Sequence, residues 1–482
     1  MLNFRVVGYI LGILLIIEGV FMLTSFPFSL VQQNNDWLAI IIASGITLGT
    51  GFLLWFSFRK SGKSVGKKEG YVIVSLGWVL FSLFGSLPFI ISGAIPSFTD
   101  AFFETISGFT TTGASILNNI EGLSNGLLYW RSLTQWLGGM GIIVLSLVIL
   151  PLLGFGGMQL FIAEVPGPTP DKLHPRVKET AKRLWGVYCL FTGLEILLLW
   201  IGEMNFFDAL CHSFTTMATG GYSTKQLSIA AYPSAYTQYV ISLFMIIAGV
   251  NFTLSYFALH LKFKQIWRNE EFRWFIGIIL FFTLAVTIVL MLTGNSNVEK
   301  TFRDSLFQVS SIITTTGFAT ADYLQWVTPA WVLIFIVMFF GGSAGSTGGG
   351  IKIIRVVLVL KNGLLELKKL LHPNAIIPVR IDKMAVKPEI LSNVLAFLSV
   401  YILVIVISIV VITFVGYDFE TSIGGVVATL GNIGPGIGGV GPAFNFAFFN
   451  AFAKWLFSFL MLIGRLELFT VLVLFTPAFW KK

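Results

Sequence analysis

Apolar runs of more than 20 residues recur along this chain, at 71–93, 391–416 and 456–480 among others. A helix needs about 20 apolar residues to cross the hydrocarbon core of a bilayer, so runs of this length are read as membrane spans. Composition agrees: 11% of residues are charged, where a soluble protein averages about 25%. Ten candidate spans emerge, at roughly 4–26, 37–57, 71–93, 127–150, 183–202, 236–261, 272–292, 328–360, 391–416 and 450–479. The first carries one Arg and no small-residue cleavage pattern, so it reads as a retained helix and not as a signal peptide. The expected fold class is an all-α integral membrane protein. Cys189 and Cys211 lie in or beside apolar segments without metal or disulfide spacing, and read as buried thiols.

The net charge of +8 is unevenly placed. Arg5, the links 58–70, 154–183 and 262–273, the region 352–387 and the C-terminal lysines carry 25 of the 31 Lys and Arg. All fall on one side of an alternating topology. By the positive-inside rule that side is the cytoplasm, with both termini inside. The basic links therefore require no nucleic acid, although a cytosolic partner could dock on them.

On the opposite side one unit returns four times. Asp100 precedes "AFFETISGFTTTGAS", Asp208 precedes "ALCHSFTTMATGGYS", Asp304 precedes "SLFQVSSIITTTGFA" and Glu420 precedes "TSIGGVVATLGNIGPG". The acid sits 13 residues before Gly113, Gly221 and Gly317, and 14 before Gly434. Each unit lies between two apolar spans, an internal repeat of the kind transport folds use. The acid is expected to cap a short helix whose C-terminus points inward and favours a cation. The glycine that follows allows positive φ and close approach. Non-helical backbone at membrane depth is tolerated only where it is buried in protein or lines a watery path. Four such segments about one axis would form a ring of carbonyls that replaces an ion's hydration shell. The candidate ion-binding residues are Thr111, Thr112 and Gly113; Thr219, Gly220 and Gly221; Thr315, Thr316 and Gly317; and Asn432, Ile433 and Gly434. The competing reading, polar outer loops with turn glycines, does not explain four units at near-constant spacing.

"TISGFTTTGAS", "QWLGGMGIIVL", "GGSAGSTGGGIK", "LGNIGPGIG" and "IGRLELFTVLVLFTP", in this order, resemble the TrkH/TrkG group of bacterial potassium-uptake proteins, in a superfamily with KtrB and the plant HKT transporters. The resemblance covers essentially the whole chain, including two N-terminal helices that KtrB-like members lack. It implies four helix–pore loop–helix repeats in pseudo-fourfold arrangement, in the bacterial inner membrane. It further implies a homodimer with one pore per protomer, and a cytosolic TrkA-like ring that binds nucleotide and controls gating. Potassium would be the transported ion, with no organic cofactor on this chain. A glycine in every filter segment goes with potassium selectivity in that family, and Gly113 supplies the first. "MATGGYS" and "GNIGPG" depart from the TTTG pattern, so the symmetry is imperfect. The organisation expected is two N-terminal helices (1–70), repeat one (71–153), a cytosolic link and repeat two (154–262), repeat three (263–361), a cytosolic link (362–390) and repeat four (391–482).

Residues 341–350, "GGSAGSTGGG", interrupt the span 328–360. Gly341, Gly342, Gly345, Gly348, Gly349 and Gly350 each cost a helix interior about 1 kcal/mol against Ala, so the helix should break there into a flexible loop below the filter. A small-residue helix-packing surface is the bland alternative. A Walker A loop fails, because Ile351 separates the last glycine from Lys352 and no strand precedes it. Arg465 falls about midway along the last span, where a charge costs roughly 2.5–3.5 kcal/mol. It either pairs with a carboxylate between helices or faces the pore beneath the filter, and the resemblance to the family's "GRLE" motif favours the pore, as part of a gate with the glycine loop. Lys454, nearer the outer end, is expected to snorkel. Glu104 and His212 stand in matching places and read as packing or outer-mouth polarity. Acidic outer links such as Asp36, Glu121 and Asp322 would concentrate cations. An inward cation gains about 2.3 kcal/mol per 100 mV of inside-negative potential, enough to drive uptake without a second substrate. No catalytic constellation appears, so the chain reads as a transporter and not an enzyme. The rival is a carrier coupled to sodium or protons, which usually needs a midplane carboxylate; no acid is evident mid-span beside the repeated segments.

Overall fold

The computed structural model describes residues 2–31, 36–59, 66–144, 177–294, 296–373 and 377–481. The expected boundary at 153/154, His174, and the basic residues Lys60, Lys63, Lys172, Arg176 and Lys482 lie outside these. Helices dominate the described residues. Six helices are long and apolar enough to cross a membrane: Phe4–Leu30, Asp36–Phe58, Lys67–Ile91, Lys182–Ile201, Glu270–Leu292 and Pro388–Phe414. Two further pairs pass the same test but are sharply bent, Ala235–Gly249 with Phe252–Leu259 by 113° and Ala451–Arg465 with Leu468–Phe475 by 115°. Expected spans 236–261 and 450–479 are thus not straight. Span 127–150 is helical over Asn125–Val144 and then leaves the described residues. Span 328–360 divides into helices Thr328–Val337 and Ile353–Leu371 around the glycine-rich stretch.

The first two long helices pack along a glycine seam. A Cβ on Gly12 would stand 2.6 Å from the Trp55 backbone nitrogen and one on Gly51 2.9 Å from that of Ile16. Close backbone approach of this kind is how helices associate where lipid removes the hydrophobic drive. The opposite faces carry exposed Leu, Ile and Phe, such as Phe281, Leu284 and Ile288 on Glu270–Leu292. In water such a stripe would be an association patch; in a bilayer it is the solvent-facing surface.

The all-α expectation misses one hairpin, Arg380–Ile381 paired antiparallel with Met384–Ala385. Its two turn residues, Asp382 and Lys383, both have positive φ (47° and 69°), which is the two-residue turn whose twist matches paired strands. Asp382 accepts the Glu270 backbone N–H at 2.8 Å and so docks the hairpin on the start of Glu270–Leu292. The sequence carried little sign of it, because Asp-Lys lacks the glycine that usually marks this turn.

Candidate ion-conducting site

Four short helices converge near the centre: Phe98–Phe109, Phe206–Met217, Val298–Ile313 and Phe419–Leu430. Their N-caps correct the sequence reading. Ser97, Asn205, Asn297 and Asp418 accept the backbone N–H groups of Asp100, Asp208, Lys300 and Thr421. The repeated acids instead sit inside: Asp100, Asp208 and Glu420 in the first turn, Asp304 farther along its longer helix. First-turn carboxylates still offset the positive helix end.

The C-terminal ends are alike in detail. The N–H groups of Thr112, Gly220, Thr316 and Ile433 each bond the carbonyl five residues back, on Ser107, Thr215, Ser311 and Ala428, at 2.8–2.9 Å. Those of Thr111, Thr219, Thr315 and Asn432 bond three back, at 2.8–3.2 Å. This pair of bonds is the Schellman closure, which puts one residue in the left-handed region. That residue is usually Gly; here it is Thr111, Thr219, Thr315 and Asn432, with φ of 52°, 53°, 59° and 53°. Each such non-glycine residue stores about 1–3 kcal/mol of strain, and strain of this kind clusters at functional sites. Two residues on, Gly113, Gly221, Gly317 and Gly434 also have positive φ, from 77° to 96°.

These segments close a circle. A Cβ on Gly113 would overlap the Gly220 carbonyl oxygen, one on Gly221 that of Thr316, and one on Gly317 that of Ile433. A Cβ on Gly434 would lie 2.7 Å from the Thr112 oxygen, which completes the round. All twelve residues named from the sequence therefore lie together in one ring of backbone.

Each ring segment is braced from behind. Glu104 accepts from Ser115 Oγ and the Ile116 N–H at 3.0 and 2.9 Å, and pairs with buried Arg131 at 2.7 Å. At the matching place His212 bonds Ser223 at 2.8 Å, and Gln308 donates to the Ala321 carbonyl at 3.0 Å. The fourth repeat has Gly424 there, with the Ile437 backbone laid directly upon it. Lys454 does not snorkel: it is buried and donates to Asp100 at 2.7 Å and to the Ala447 carbonyl at 3.0 Å. The first short helix offers an acceptor nearer than the membrane surface.

The glycine-rich stretch lies against the C-terminal ends of these helices. Thr347 Oγ1 donates to the Met217 carbonyl at 3.0 Å, and the Gly349 N–H donates to Thr315 Oγ1 at 2.7 Å. A Cβ on Gly348 or Gly349 would approach Thr314 O or Gly431 O to 3.0 or 2.8 Å. Gly345 and Gly350 adopt positive φ of 72° and 64°. Gly341 donates to the Ile351 carbonyl at 2.6 Å, which pinches the base of the loop, and Gly342 abuts Gly249. Buried Glu271 accepts the N–H groups of Ala344 and Ile354, one from each end of the loop.

Arg465 is buried and donates from Nη1 to the Thr347 carbonyl at 2.6 Å. It ends its helix rather than lying midway along a straight one, and its Nε and Nη2 meet no acceptor among the described residues. No carboxylate among the described residues pairs with it. Glu467, beyond the helix end at φ 61°, pairs with Arg355 instead, at 2.7 Å. Two acids do lie mid-helix beside the site, contrary to the sequence reading. Glu18 of Phe4–Leu23 is buried against Gly85, and Glu195 of Val177–Ile201 is buried beside Thr216. Each sits one to a helix in an apolar run, where periodicity gives no hint of its facing inward. Glu271 and Thr347 were likewise missed, since each acts on backbone remote in sequence.

A protein of apolar, membrane-length helices with a closed ring of backbone where four short helices meet has the build of an ion-transport protein. The chain matches over residues 38–482 the family model TrkH, described as a cation transport protein. It is 43% identical, over the whole of both chains, to the Trk system potassium uptake protein TrkH of Escherichia coli K12. It is 35% identical to the TrkG protein of the same organism over 99% of each. It superposes on the crystal structure of the potassium transporter TrkH from Vibrio parahaemolyticus with a TM-score of 0.91 at 37% identity, covering both chains fully. The chain belongs to the TrkH family.

Proposed function

We propose that this protein takes up potassium across the bacterial inner membrane through a channel-like pore. The carbonyls of the four ring segments act as the selectivity filter, and the 341–350 loop with Arg465 acts as the gate. The cyclic succession of each glycine against the next segment's carbonyl carries this reading, because four backbones that close on one another suit a ring about one axis. Backbone carbonyls arranged so replace a cation's hydration shell. The inward C-termini of four helices add negative potential where the ion loses its water. Arg465 just beneath raises the barrier to a cation while the loop is in place. The proposed architecture is ten spans with four re-entrant segments in pseudo-fourfold repeat, both termini cytoplasmic, functioning as a homodimer. The names of the relatives speak of a Trk system, and a cytosolic TrkA-like, nucleotide-binding partner docking on the basic links would move the loop.

The test is cation flux into liposomes holding the purified protein at a clamped diffusion voltage. Passive flux favouring potassium over sodium is expected, with selectivity weakened by Gly113→Ser and leak raised by Arg465→Ala. A second reading, symport of potassium with sodium or protons, draws support from the buried acids Glu18 and Glu195. Flux that ignores voltage and follows a sodium or proton gradient would replace the channel reading with that one.

A further inference from the structure

All four ring segments share the backbone closure, but only two add a hydroxyl bridge of their own. In the first, Thr110 and Thr112 hydroxyls bond each other at 2.8 Å; in the third, Thr314 and Thr316 do the same at 2.8 Å. The corresponding pairs elsewhere are Ala218 with Gly220 and Gly431 with Ile433, which have no hydroxyls. The fourth segment uses Asn432, whose amide donates to Thr112 Oγ1 at 3.0 Å and to the Met461 carbonyl at 2.9 Å. The second segment has no such bridge; its Thr219 hydroxyl only donates to the neighbouring Ala218 carbonyl, at 2.6 Å.

Its support comes from outside, from Gln135 on the helix Asn125–Val144. Gln135 Nε2 donates to the Gly220 carbonyl at 2.7 Å, and its Oε1 accepts the Tyr222 N–H at 3.0 Å. The side chain is fully buried, and its carboxamide fills the space that a residue-220 side chain would take, so that a Cβ there would overlap it. Arg131, one turn earlier on the same helix, donates to the Ser223 carbonyl at 3.0 Å and lies over the Tyr222 ring at 3.5 Å. One helix of repeat one thereby clamps both ends of the 220–223 backbone.

We infer that Gln135 is a specificity-determining positioning residue: its carboxamide stands in for the missing threonine pair and fixes the direction of the Gly220 carbonyl. A carbonyl that accepts a short amide hydrogen bond has one lone pair committed. The Gly220 corner therefore offers an ion a weaker and more rigid ligand than Thr112 or Thr316. This inference rests on the pore reading above, and the experiment separates the two.

Full-length protein in liposomes is assayed for initial potassium and sodium flux in wild type, Gly113→Ser, Gln135→Met and the triple variant Gln135→Ala/Ala218→Thr/Gly220→Thr. Gln135→Met keeps the length and removes both hydrogen bonds. It is expected to change the potassium-over-sodium ratio by about three- to tenfold, the factor that one net hydrogen bond represents. The triple variant rebuilds in segment two the hydroxyl bridge of segments one and three, and is expected to return the ratio to near wild type. An unchanged ratio in Gln135→Met, with Gly113→Ser altered, overturns the inference and leaves the pore reading standing. Lower Tm and lower total flux at an unchanged ratio also overturn it, since that is a merely structural role. If neither Gly113→Ser nor Gln135→Met moves the ratio, the pore reading falls first and the inference with it. Should Gln135→Met fail to fold, the triple variant decides: a wild-type ratio supports the inference, and a ratio like that of Gly113→Ser overturns it.

Discussion

The central ring and the loop beneath it are both non-helical backbone buried in protein, yet they are held by different means. The ring closes through backbone bonds inside each segment, repeated in all four, with each strained residue locked by two of them. The loop has backbone bonds too, such as Gly341 N–H to the Ile351 carbonyl and Ser343 N–H to the Gly249 carbonyl, but it is also held by single side chains from separate elements, Glu271, Thr315, Arg465 and Lys352, and by its own Thr347. Cooperative, local closure makes a fixed object. Scattered side-chain bonds can be released one at a time, which suits the proposed gate. The lesson is that two adjoining stretches of buried, non-helical backbone can differ in what holds them.

That contrast can be broken from either side. The largest effect is expected at Glu104→Ala, which strands Arg131 in a buried site; losing one partner of such a pair costs about 3–5 kcal/mol. Thermal unfolding in detergent should fall steeply, and an unchanged midpoint would mean the ring needs no bracing from behind. Next is Glu271→Gln, which weakens charge-assisted bonds to both ends of the loop, worth about 1.5–3 kcal/mol. Flux without any partner should rise roughly tenfold while the potassium-over-sodium ratio holds. A ratio that changes as much as the flux would show that loop and ring are one mechanical unit. Gly221→Ala strains a positive-φ position by about 1–3 kcal/mol, and its Cβ also forces the Thr316 carbonyl to shift. The expected result is the converse, a loss of ion discrimination of roughly tenfold with little change in leak. The smallest is Thr315→Val, which removes one hydrogen bond to the Gly349 N–H, about 0.5–1.5 kcal/mol net. A severalfold rise in leak is expected; no rise would mean that this contact does not hold the loop.

The ring was legible in the sequence because it is local and repeated: an acid, a short apolar helix and a glycine recur at near-constant spacing, and the glycines mark backbone that only positive φ allows. The break at 341–350 was legible because glycine is costly in helix interiors. What stayed hidden depends on pairs far apart in the chain. Lys454 finds Asp100, Arg355 finds Glu467, and Gln135 finds Gly220 only once the repeats pack. The caps were misassigned because Ser97, Asn205 and Asn297 are common polar residues, whereas the acids inside the helices repeat more visibly. The bends after Gly249 and Arg465 were hidden for another reason: apolar composition continues across them, and hydropathy reads length without direction.

Because the four quarters of the ring belong to one polypeptide, a change in any of them enters the pore once. In a ring of identical subunits every substitution arrives at all corners together, and most such changes are too large to survive. The unequal quarters of this protein, two stitched by hydroxyls, one by Asn432 and one by a neighbouring helix, can therefore be altered one at a time.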